Sequence, residues 1–81
     1  MKSLANLVPG ERGRVKNIEG AARIHQRLAE MGLVPGVSVE MVRVAPLGDP
    51  MEIRVQDYRL SLRKADAASV LIEPESSSAG S

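Results

Sequence analysis

The stretch RLAEMGLVPGVSVEMVRV, residues 27–44, holds a helix end, a tight turn and a long strand in unbroken succession. Working back from it, Ala21, Ile24, Leu28 and Met31 fall at i, i+3, i+7 and i+10. At 100° per residue that is one apolar stripe about 80° wide, which predicts a helix over 21–31. Glu19 precedes Arg23 by four, the favourable order near the positive end of a helix. Gly32 supplies a left-handed cap, and Leu33 follows as a residue that packs back on the helix. Pro35-Gly36 predicts a type II turn with Gly36 where positive φ is needed. Beyond the turn, Val37, Val39 and Met41 alternate with Ser38 and Glu40, and the phase then slips to Val42 and Val44 around Arg43. A strand whose buried face changes halfway bends to serve two faces of a small closed barrel.

The neighbouring segments agree. MEIRV (51–55) turns Met51, Ile53 and Val55 inward, and YRLSLR (58–63) turns Leu60 and Leu62 inward. Only Gln56 and Asp57 separate them, which predicts a tight hairpin with Asp57 as the left-handed residue. Residues 64–68 read as one helical turn and 69–73 as a closing strand on Val70 and Ile72. Toward the N-terminus, GRVKNI (13–18) is a strand that needs a bulge if Val15 and Ile18 are both buried. Leu4, Leu7 and Val8, ahead of the Pro9-Gly10 turn, read as an apolar arm that docks on the core. The expected fold is mainly β: a small five-stranded barrel with one inserted α-helix and a short helical turn before the last strand. The domain covers 1–73, and 74–81, with four Ser and no large apolar side chain, reads as a disordered tail.

Composition removes most chemistry. The 81 residues make one small domain, 43% hydrophobic and 26% charged. Eleven Lys and Arg against ten Asp and Glu leave +1, with no drive toward nucleic acid or an anionic membrane. There is no Cys, so disulfides, thiolate metal sites and cysteine nucleophiles are excluded. Tyr58 is the sole aromatic residue, too little for a base-stacking surface or an aromatic groove for proline-rich peptides. No apolar run spans a bilayer and no secretory signal opens the chain, which reads as cytoplasmic. The one His, His25, has Ala21, Ala22, Leu28 and Ala29 at helical contact spacing, none of them a ligand. Glu40 and Glu52 read as solvated, outward-facing charges. No catalytic residue, cofactor site or metal site is expected.

Two stretches are candidates for binding a partner. Arg23 and Arg27 lie i,i+4 on one helix flank, with Glu30 at i,i+3 from Arg27. The flank is either a solvated charged face or a guanidinium pair for an acidic partner. In APLGDP (45–50), Pro46, Gly48, Asp49 and Pro50 specify a stiff loop, but they do not explain Leu47 at its tip. Exposed, Leu47 is an anchor for another protein; folded back, it caps the barrel.

The helix exit RLAEMGLVPG, then APLGDP, then IRVQDYRLSLRKADAASVLI (53–72), resemble the FeoA family in order and spacing, across nearly the whole domain. Asp57 departs from the glycine usual in that hairpin. The resemblance implies an SH3-like barrel, the same domain found at the C-terminus of metal-dependent repressors. It also implies a non-catalytic accessory or regulatory role in bacterial ferrous iron uptake. The implied partner is FeoB, the membrane transporter with a cytoplasmic G-protein domain, which would recruit the chain to the inner face of the membrane. The alternative is a metalloregulator-type accessory domain that binds a repressor or a metal ion. A weak homo-oligomer stays open.

Overall fold

The structure, a computed structural model, describes residues 2–74. The tail expected over 74–81 lies outside them except for Pro74, which ends the last strand. Six antiparallel strands form one sheet in the order β1-β6-β2-β3-β4-β5. They are β1 (Lys2–Ser3), β2 (Arg12–Ile18), β3 (Ser38–Val44), β4 (Met51–Val55), β5 (Tyr58–Leu62) and β6 (Val70–Pro74). Helix α1 (Ala22–Glu30) is inserted between β2 and β3, and the short α2 (Lys64–Ala67) precedes β6. The five expected strands are β2 to β6. The apolar arm adds β1, which pairs Lys2 with Ile72, and a 3-10 turn over Leu4–Asn6. Leu4 and Leu7 are buried as expected, but Val8 is 57% exposed. Val8 opens the Pro9-Gly10 turn, where its main chain is held by Glu11 and its side chain is left outside.

The sheet curls because its two longest strands each carry an extra residue. In β2 the register to β6 shifts between Val15 and Asn17, so Lys16 has no opposite number. That slip brings Val15 (1% exposed) and Ile18 (6%) onto the same inner face, although they are three apart. In β3 the register to β4 shifts between Met41 and Arg43, at the phase slip seen in the sequence. Gly13 lets β6 approach β2 closely, since a Cβ there would lie 2.6 Å from Ile72 Cδ1.

Helix α1 lays Leu28 fully into the core, with Ile24 and Met31 packed at its edge. Ala21 is the exposed N-cap rather than part of the buried stripe. The helix ends in a Schellman pattern: Gly32 N–H donates to the Ala29 carbonyl at 2.9 Å and Leu33 N–H to the Leu28 carbonyl at 3.0 Å. Gly32 has φ +94, and a Cβ there would overlap the Tyr58 hydroxyl, which itself donates to the Met31 carbonyl. One glycine thus ends the helix and admits the tyrosine that ties it to β5. Gly36, at φ +97, sits in the expected Pro35-Gly36 turn, closed by Val37 N–H to the Val34 carbonyl. In the β4–β5 hairpin the left-handed residue is Gln56 (φ 58), not Asp57. The positive φ falls on the first turn position, where the sequence offers no glycine or asparagine to announce it.

Candidate functional site

The loop after β3 is built by its own main chain. Gly48 N–H donates to the Ala45 carbonyl at 2.7 Å, and Ala45 N–H to the Pro50 carbonyl at 3.1 Å. Pro46 and Leu47 therefore form the apex of a closed turn, with Gly48 at φ +88 supplying its exit. The space beside Gly48 is open: a Cβ there would come no nearer than 4.0 Å to Lys64 Nζ. Asp49 leaves the turn sideways: its Oδ1 accepts the Lys64 main-chain N–H at 2.9 Å, a free donor at the start of α2. Pro50 follows through a cis peptide and leads into β4.

Leu47 is 95% exposed, so it does not cap the barrel. It is the most exposed of the large apolar residues in the described chain, ahead of Val8, Tyr58 and Val34.

The arginine flank is arranged differently from its sequence. Arg27 reaches past Glu30 to α2, where its Nη2 donates to Asp66 Oδ1 at 2.6 Å. Asp66 is closer to the interior than Glu30, with its side chain only 16% exposed, so the pair forms in a less solvated setting. Arg23 has no ion-pair partner among the described residues and lines a shallow groove with Ile24 and Arg27. The two candidate stretches are thus joined through α2. Asp49 holds its first residue and Arg27 holds its third, while Ser61 lines grooves on both sides. The sequence signal for this was Asp66 itself, an acid in the first turn of a short helix, but nothing local pointed it at Arg27.

Glu40 and Glu52 do not face each other. Glu40 stands opposite Arg54 and Glu52 opposite Arg43, and Glu52 takes both Arg43 (3.5 Å) and Arg59 (3.3 Å). Among the described residues no group of three or more His, Cys, Asp or Glu is placed to hold a metal ion. No helix there is long and apolar enough to cross a membrane.

The strand order, the helix inserted after β2 and the late helical turn define a small SH3-like barrel domain. The chain belongs to the FeoA domain family, whose model matches residues 2–74. It is 40% identical over 78 residues to an Fe(2+) transport protein A/Fe(2+) transporter FeoB fusion protein of Porphyromonas gingivalis. That match covers 96% of this chain and 9% of the relative, so the chain spans a small part of the curated protein's length. A crystal structure of an iron uptake regulatory protein, FeoA, superposes with a TM-score of 0.84 at 32% identity, covering 91% of this chain and 97% of the other. The FeoA of Stenotrophomonas maltophilia, crystallised with zinc and described as an SH3 domain protein, gives 0.77 at 28% identity, covering 90% and 91%. The family is one of ferrous iron transport.

Proposed function

We propose that this chain is a non-catalytic accessory module of ferrous iron uptake that docks on the FeoB transporter from the cytoplasmic side. The observation that carries the reading is Leu47, 95% exposed at the apex of a loop held by three hydrogen bonds. An apolar side chain presented on an already ordered loop binds with little ordering cost. The fusion of the two activities in one relative supports the choice of partner. Arg23, with Arg27 beside it, offers a cationic flank to acidic groups of the same partner. The test is the affinity of the full chain for the transporter's cytoplasmic domain, measured with GDP and with a GTP analogue. Leu47→Ala should weaken binding by about 1–2 kcal/mol while leaving stability within about 0.5 kcal/mol. Unchanged affinity of a folded Leu47→Ala variant overturns the anchor.

A further inference from the structure

The end of the sheet at β5 is the longest main-chain edge left open in the described fold. β5 is last in the strand order and pairs only with β4, whereas β1, at the opposite end, is two residues long. In an antiparallel pair, residues that exchange hydrogen bonds alternate with residues that do not. The two-residue Gln56-Asp57 loop makes Val55 and Tyr58 the closing bonded pair, so Leu60 and Leu62 also bond toward β4. The N–H and C=O groups of Arg59 and Ser61 then point to the open side, and neither residue has a main-chain partner elsewhere among the described residues. Beside that edge is a groove of about 490 Å³ whose lining includes Ser61, Arg63 and Asp66, with Arg27 of α1 and Met31 just after it.

The charge along this edge is positive. Arg59 shares the single carboxylate of Glu52 with Arg43, so the three side chains carry a net positive charge. Arg63 and Lys64 have no ion-pair partner among the described residues. Asp66, the acid in the groove, is already matched by Arg27. A second copy of this chain does not suit the edge, because antiparallel pairing centred on Ser61 sets Arg59 against Arg63 twice over. Basic residues on an edge strand oppose self-pairing, and the same residues attract a strand of opposite charge.

We propose that the open edge of β5 accepts an extended acidic segment of another protein by strand addition, laid along Arg59, Ser61 and Arg63. The proposal does not rest on docking to the transporter through Leu47, and a peptide probe tests it without that partner. The full chain, labelled with nitrogen-15, is titrated with the peptide acetyl-Glu-Val-Glu-Val-Glu-amide and separately with acetyl-Lys-Val-Lys-Val-Lys-amide. The expected result is saturable amide shifts centred on Arg59, Ser61 and Arg63 with the acidic peptide alone. Ser61→Pro removes an N–H that makes no bond to β4 and should abolish these shifts with the rest of the spectrum native. Arg63→Glu keeps the main chain intact and should weaken the acidic peptide about tenfold, which decides the matter if the proline variant does not fold. Absence of saturable shifts at the β5 amides, equal binding of the basic peptide, persistence of the shifts in folded Ser61→Pro, or concentration-dependent pairing of the chain with itself along β5 overturns the proposal.

Discussion

Asp49 and Lys64, fifteen positions apart, are joined by a single hydrogen bond in which the Asp49 carboxylate accepts the Lys64 main-chain N–H at 2.9 Å. The bond links the loop between β3 and β4 to the first residue of α2, and the Arg27–Asp66 pair then links α2 to α1. The presented leucine and the arginine flank therefore share one support.

Asp49→Ala should destabilise the domain by about 0.5–2 kcal/mol, the cost of losing a helix-start acceptor, and Asp49→Asn should retain most of the stability. Urea denaturation of both variants checks this. Equal losses for Ala and Asn would mean that the side chain acts through its charge rather than as an acceptor.

Arg27→Met should cost less than about 1 kcal/mol, because the guanidinium side of the Arg27–Asp66 pair is 55% exposed and solvent screens it. The loss should shrink further in high salt. In a double-mutant cycle with Asp66→Asn the two changes should be non-additive. Strict additivity would show that the pair contributes nothing.

Leu28→Ala should cost about 2–5 kcal/mol, enough to unfold much of a domain this small, since Leu28 is fully buried. A loss below about 1 kcal/mol in chemical denaturation would contradict the packing of α1 on the sheet.

Gly32→Ala should destabilise by more than about 1 kcal/mol, combining the cost of positive φ with overlap on the Tyr58 hydroxyl. In a Tyr58→Leu background the overlap is gone and only the φ cost remains, so the second loss should be smaller. Thermal melts of the four proteins measure the difference.

Most of the architecture was legible in local signals. Periodicity placed α1, Gly32 and the Pro35-Gly36 turn marked its exit, and the phase slip at Val42 located the bulge in β3. What was not legible depends on the meeting of distant segments. Arg27 chooses Asp66 over the nearer Glu30 because folding brings a less exposed carboxylate to it. Val8 stays outside because Glu11 fixes the turn around it. Gln56 adopts the left-handed conformation because the strands on either side dictate the turn, overriding the preference of its side chain. The composition of the candidate loop was plain from the sequence. Whether Leu47 faced in or out depended on the closed turn from Ala45 to Gly48 that sets it at the apex.

The bond from Tyr58 to the Met31 carbonyl gives the molecule an internal optical gauge. With no Trp and no Phe, all the near-ultraviolet absorption and emission of the chain comes from that one phenol at the junction of α1 and β5. Its hydroxyl is held by a carbonyl in the native state and by water once the junction opens, so tyrosine fluorescence follows that junction alone. Far-ultraviolet dichroism follows the sheet as a whole. Detachment of the helix can thus be timed separately from loss of the barrel, in the unlabelled protein.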